Sequence, residues 1–274
     1  KELISNSVLI SSNDIYFSKV YESSSAFYIW FEDSSTLFEI THDRKNVTCY
    51  YSMVSDLHRI ELDFLLYAFV FLQVLEGVVP LHASCALLPN GECVAFIGPS
   101  GAGKSTLVQA MYQFENCKIV SDDTVFISSN QGKFSVHPAY PIMKSAPSTT
   151  NMVKNLVSEK FSLWDNKQKY VYMLKHDPDT FYMCHPIRNF FILHSNCCKI
   201  EITSEENNAQ RVLLLFSSMF AGYLIPKNRY YHVLSCLHNL VKSCKVYDLS
   251  YYKSVEALPT ITHTIVKHIC SPNQ

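Results

Sequence analysis

Glycine is scarce in this chain. There are seven in 274 residues, well below the usual ~7%. Glycine-rich linkers and collagen-like repeats are excluded, and each remaining glycine is worth locating. Three of them stand together at Gly98, Gly101 and Gly103. Charge is also thin. Charged residues make up 17% of the chain, the net charge is −1 and the pI is about 6.9. That balance argues against a general electrostatic hold on nucleic acid or an anionic membrane. The ten cysteines include no C-x-x-C and no paired rhythm, so they read as reduced thiols of a cytoplasmic protein. His194 near Cys197 and Cys198 reads as a polar turn between strands, since structural zinc sites show tighter paired spacing. No charged-then-apolar signal segment opens the sequence. The longest apolar run, Phe64 to Leu72, falls short of the ~20 residues that span a bilayer. With Asp63, Gln73 and Glu76 beside it, a buried helix is expected and no membrane partner.

What is present suits a packed core. Hydrophobic residues reach 48%, with 17 Tyr and 17 Phe, and no RNA-stacking motif is visible among the aromatics. Residues 1–56 alternate short apolar runs, such as Ala26 to Phe31 and Thr36 to Ile40, with polar turn clusters, which predicts a β-rich N-terminal subdomain. Residues 57–75 predict one buried helix, and residues 57–274 are expected to form the second, larger domain. Within it, Leu81–Leu88 and Cys93–Ile97 form a hairpin across Pro89-Asn90-Gly91. Lys118–Val120, Thr124–Ile127, Phe134–His137 and Asn189–His194 predict further strands. Residues 144–186 show no clean period and are expected to include a mobile loop, with 144–180 as a candidate lid. Helices are expected over 212–223, over 230–243 and near 260–270. The class is α/β with an α+β tendency: a mixed sheet, β-rich at the N-terminus and helical at the C-terminus.

The three clustered glycines belong to Gly98-Pro99-Ser100-Gly101-Ala102-Gly103-Lys104-Ser105, which reads G-x-x-x-x-G-K-S. An apolar strand precedes it, and Thr106 onward continues as a helix. In this pattern the backbone N–H groups of Gly98, Ser100, Gly101, Ala102, Gly103 and their neighbours through Thr106 make an anion nest. Lys104 reaches the outer phosphates, and the Ser105 hydroxyl ligates Mg²⁺. The motif alone indicates a nucleoside phosphate with Mg²⁺, and ATP is the nucleotide expected here, with the choice among donors left open.

Mg²⁺ prefers hard oxygen ligands, and the second ligand is sought one strand on. Asp122-Asp123 follows Lys104 by 18 residues, room for one helix and one strand. That places the pair at a strand's C-terminal end, where open α/β sheets hold ligands. Neighbouring residues at a strand end point apart, so one carboxylate can face a metal and the other a substrate hydroxyl, whose proton it would accept. An Asp pair can equally start a turn or cap a helix. His82 opens the strand that pairs with the one feeding the loop, which sets it at the P-loop end of the hairpin. A lone strand histidine serves as often in structure as in chemistry.

Together Leu81-His82-Ala83-Ser84, Gly98–Ser105 and Val120-Ser121-Asp122-Asp123 resemble, in order and spacing, the HPr kinase/phosphorylase family, and in particular its shorter relatives. A His-Pro-x-Tyr-Pro segment (137–141) and a Pro-x-x-x-Phe-Phe-Ile-Leu strand (186–193) add to the likeness. The resemblance implies a fold like the nucleotide domain of phosphoenolpyruvate carboxykinase and a serine kinase activity. Carried over, Asp122 is the general base supported by His82, Asp123 and Ser105 hold Mg²⁺, and Lys104 binds phosphate. Some members of this wider group phosphorylate a lasso-type precursor peptide at its C-terminal Ser. The chain departs from the pattern in one respect: no Asp or Glu occurs between Asp123 and Glu159, where the full kinases carry a further metal-serving Glu. Lys144 and Arg188 are candidate phosphate or substrate contacts, with Arg211, Lys227 and Arg229 behind them; Lys144 also fits a solvated surface position. The expected partners are a nucleotide and a peptide or small-protein acceptor. A small-molecule hydroxyl kinase and a regulatory nucleotide-binding module without transfer are the alternatives, and the sequence leaves the oligomeric state open.

Overall fold

A computed structural model describes residues 2–13, 18–53, 55–137, 139–146, 148–162, 170–175, 177–204 and 207–270. The chain folds as two compact units. One comprises Lys1–Pro80 and Ala221–Leu234, the other Leu81–Phe220 and Ser235–Gln274.

In the first unit, β1 (Val8–Asn13), β2 (Ser18–Glu22), β3 (Ala26–Phe31), β4 (Thr36–Thr41) and β5 (Val47–Tyr51) form an antiparallel meander in sequence order. Period-two alternation sends Ile29 and Phe31 of β3 to one face, with Phe38 and Ile40 of β4; Ala26, Tyr28 and Leu37 take the other. Helix α1 (Leu57–Asp63) passes through a π-helical turn at Phe64–Ala68 into α2 (Phe69–Leu75). Asp56 caps it, its carboxylate accepting from the His58 backbone N–H at 3.0 Å. The apolar side of this helix, Ile60, Ala68, Phe71 and Leu75, is buried on the Ile29/Phe38 face. The division between units therefore falls after Pro80 rather than at residue 56. A helix with that stripe needs the meander's apolar face, and the sequence boundary had cut the two apart.

The short strand β6 (Val79–Leu81) leads into the second unit. There follow β7 (Ala83–Leu87), β8 (Cys93–Ile97), α3 (Lys104–Glu115), β9 (Lys118–Ser121), β10 (Val125–Asn130), β11 (Lys133–His137) and β12 (Ile142–Ser145). Beyond these come β13 (Val157–Ser162), β14 (Tyr170–Leu174), α4 (Pro178–Phe181), β15 (His185–His194), β16 (Asn196–Thr203), α5 (Asn208–Ser217), α6 (Tyr230–Ser243), β17 (Lys245–Tyr252) and α7 (Leu258–Cys270). The sheet is mixed. β8 lies between β15, parallel to it, and β7, antiparallel to it with Ala83 opposite Ile97. β9 pairs antiparallel with the outer edge of β7 and so points the same way as β8. β17 runs parallel to β15, and β16 antiparallel to β17. Phe96, Leu107, Met111, Phe191, Leu249, Ile261 and Ile265 form the core between this sheet and the helices α3 and α7. Phe96 and Phe191 stack at 5.9 Å between ring centroids.

The class is α/β with a mixed sheet, strand-rich at the N-terminus and helical at the C-terminus. Two segments differ from expectation. Among the described residues of this stretch, β12, β14 and β13 form a three-stranded antiparallel sheet, and Met143, Val171 and Leu174 are buried. Short irregular strands with one bulge between Val157 and Glu159 blur the period that sequence reading relies on. Residues 163–169 of the candidate lid lie outside the described residues. The helix expected over 212–223 ends at Ser217, where the Ser217 and Ser218 hydroxyls both donate to the Leu214 carbonyl at 2.8 Å and Ala221 turns left-handed. Among the described residues no helix is long and apolar enough to cross a membrane.

Phe96→Ala removes a ring with no exposed surface from this core and is expected to cost about 3–5 kcal/mol. The exposed Arg188→Ala should change stability by no more than about 0.5 kcal/mol, and urea denaturation of both variants checks the contrast.

Candidate functional site

The loop joining β8 to α3 is shaped by two left-handed glycines, Gly101 at φ +80° and Gly103 at φ +107°. Residues with a Cβ rarely adopt that backbone, and it turns successive N–H groups toward one side. Gly103 is also the N-cap of α3, and no side chain caps it. The start of this 12-residue helix is thus an uncapped N-terminus of the kind that favours an anion. A Cβ at Gly103 would collide with the Tyr251 hydroxyl, which donates to the Ala102 carbonyl. Lys104 folds back over the loop, its Nζ donating to Gly98 O at 2.7 Å and Pro99 O at 3.3 Å. A glycine-shaped loop at an uncapped helix start, a lysine held over it and the Ser105 hydroxyl fit a nucleoside polyphosphate with Mg²⁺.

Asp122 and Asp123 follow directly on β9, at the P-loop end of the sheet. Asp122 is buried at 2% exposure. Its Oδ1 accepts the Ser84 hydroxyl at 2.6 Å and its Oδ2 accepts the Lys144 backbone N–H at 2.8 Å, and the nearby Ser105 hydroxyl favours the charged form of the same carboxylate. Burial, with the Asp123 charge beside it, nevertheless pushes the Asp122 carboxyl above its ordinary value. Asp123 sits at φ +72°, a conformation asparagine and aspartate tolerate better than other residues with a Cβ. The left-handed turn aims the second carboxylate away from the first. Asp123 Oδ2 receives Lys144 Nζ at 2.6 Å, and its Oδ1 lies 3.5 Å from His82 Nδ1. Burial works to raise this carboxyl too, but Lys144, His82 and Lys104 outweigh it and hold Asp123 below its ordinary value.

His82 stands just before β7, at the P-loop end, as the hairpin predicts. Its Nδ1 is 3.0 Å from the Asp123 carbonyl, so Nδ1 carries the proton and Nε2 the lone pair. Burial keeps the imidazole below its ordinary value, hence neutral at pH 7. Its partner is Asp123, not Asp122 as expected: the turn at Asp123 brings that residue's carbonyl and carboxylate to the ring, while Asp122 points into the sheet. Lys144 joins the site through both its backbone and its ammonium. Arg188 does not. It lies near the start of β15, the end of the strand away from the P-loop, 3.4 Å from Glu92. Arg211 is committed to Asp248 at 2.6 Å, and Lys227 and Arg229 belong to the first unit. Sequence reading assigned no role to Ser84 or Tyr251. Ser84 was legible, since it stands two residues beyond His82 on a strand. Tyr251 lies 149 residues from its partner, and no local signal marks it.

The family model described as ABC transporter matches residues 83–189, from β7 through the P-loop and the acid pair into β15. The second unit carries a P-loop NTPase-type nucleotide-binding domain. Among solved structures, the HPr(Ser) kinase/phosphatase from Coxiella burnetii is similar at 12% identity, over 69% of this chain and 95% of that one, with a TM-score of 0.35. No curated protein matches.

Lys104→Met removes the charge over the loop. It should weaken nucleotide binding by about 10- to 100-fold, the range for losing hydrogen bonds to a charged group, as read by titration with a fluorescent ATP analogue.

Proposed function

We propose that this chain is an ATP-dependent phosphotransferase acting on a hydroxyl, with a serine of a peptide or small protein as acceptor. The observation that carries the reading is the divergence of Asp122 and Asp123 beside a P-loop. Two adjacent carboxylates in opposed environments fit two separate duties.

The geometry favours exchanging the duties that the family resemblance assigns. Asp122 has both oxygens engaged and touches Ser105, so Asp122 and Ser105 are the pair suited to hold Mg²⁺. The metal, when bound, would offset phosphate charge. Asp123 is the more accessible acid, at 18% side-chain exposure, and Lys144 keeps it ionised. It is suited to take the proton of the acceptor hydroxyl as that oxygen bonds to phosphorus and the nucleoside diphosphate departs. Neutral His82 holds Asp123 in position through its carbonyl. Lys104 and the N–H groups of the loop bind the phosphates of the donor. Reading the acceptor as a serine rests on the family resemblance. A peptide ending in Ser, as in lasso-type precursors, is the most concrete acceptor to test.

Incubation with labelled ATP, Mg²⁺ and a panel of Ser-containing peptides should transfer label to peptide. Label found on a free hydroxyl metabolite alone would shift the acceptor to a small molecule. Asp123→Asn should lower transfer by about 10²–10⁴-fold while ATP binding persists; transfer at the wild-type rate would remove Asp123 from the role of base. Lys144→Met deletes the charge that depresses Asp123, so the Asp123 pKa rises. The acidic limb of the transfer rate should then move to higher pH, as a pH–rate profile would record.

A further inference from the structure

We propose that a cavity at the far end of α3 binds a small amphipathic monoanion, an apolar body carrying one carboxylate or sulfonate. The cavity measures about 550 Å³, within the range of ~300–1,000 Å³ typical of small-molecule sites. It is formed by the β7–β8 turn, the C-terminal end of α3, the start of β9, the end of β14 and α4. The 12 residues of α3 separate it from the P-loop by about 18 Å, so it is no extension of the phosphate site.

The chemistry of the lining is split between floor and rim. Leu88, Ile119 and Leu174 form a buried floor, which offers apolar contact and no donor set for a polyphosphate. The rim carries Lys118, Lys175 and Asp177. Asp177 is already engaged, accepting Lys118 Nζ at 3.1 Å and the Thr180 hydroxyl at 2.8 Å. Lys175 is exposed, and among the described residues no carboxylate pairs with it. The rim therefore holds one uncompensated positive charge above an apolar floor. An apolar molecule with a single anionic head satisfies both.

The test uses the intact protein with three probes: 1-anilinonaphthalene-8-sulfonate, octanoate and octanol. Dye fluorescence should rise saturably at one site per chain, and octanoate should displace the dye. Lys175→Glu, a surface change, should weaken octanoate about fivefold, as expected for an exposed charge, and leave octanol unaffected. Leu174→Trp, which fills the floor, should abolish binding of all three, with circular dichroism confirming that the variant folds. Failure of the wild-type protein to bind the dye saturably would overturn the proposal. So would displacement of the dye by ATP, or a Lys175→Glu variant that loses octanol as much as octanoate. None of these readouts depends on phosphotransfer, so the cavity and the proposed activity fail or stand separately.

Discussion

One buried carboxylate ties the second unit's site together. Asp122 receives hydrogen bonds from Ser84 on β7 and the Lys144 backbone on β12, with the Ser105 hydroxyl of α3 close enough to favour its charge. Three chain segments are thereby fixed to one another at the P-loop end of the sheet. The cost is a charge in a place that resists charge, visible in the raised Asp122 carboxyl. Removing any one donor would leave that charge poorly compensated, and an uncompensated buried charge is strongly destabilising. The positions of Lys144 and Asp123 follow from this anchor, because each is covalently continuous with a group bonded to Asp122 or is Asp122's own neighbour.

The second consequence is electrostatic. Two carboxylates one residue apart would repel if they shared an environment. The left-handed backbone at Asp123 parts them, sending one to hydroxyls and the other to cations. Lys144 takes part on both sides, through its N–H to Asp122 and its ammonium to Asp123. A local conformation that is mildly strained in an L-residue is thus held by interactions on either side. It gives neighbouring side chains of one chemical type two distinct characters.

Much of this was legible in the sequence, for reasons that can be named. The P-loop is a contiguous string whose glycines have a backbone duty, so it survives reading without a structure. His82 and the Asp pair were placed at the loop's end of the sheet by counting strand and helix lengths, which are local quantities. Which Asp faces which partner was not legible, because it depends on the sign of one φ angle at Asp123. Lys144 was open between surface and site because its role comes from β12, in the segment where short, bulged strands hide their period. Arg188 looked available as a lone cation, and only the parallel pairing of β15 with β8 puts it at the wrong end. The unit boundary was misplaced because a helix's apolar stripe does not say which sheet it covers.

The central claim, that the two neighbouring carboxylates are held in opposed states, is open to direct observation. Carbon-13 labelling of the aspartate carboxyls, followed by NMR titration of the intact protein, measures both groups at once. Asp123 should titrate below the ordinary aspartate value of 3.8 and Asp122 above it. A common midpoint for the two, or the reverse order, would contradict the account.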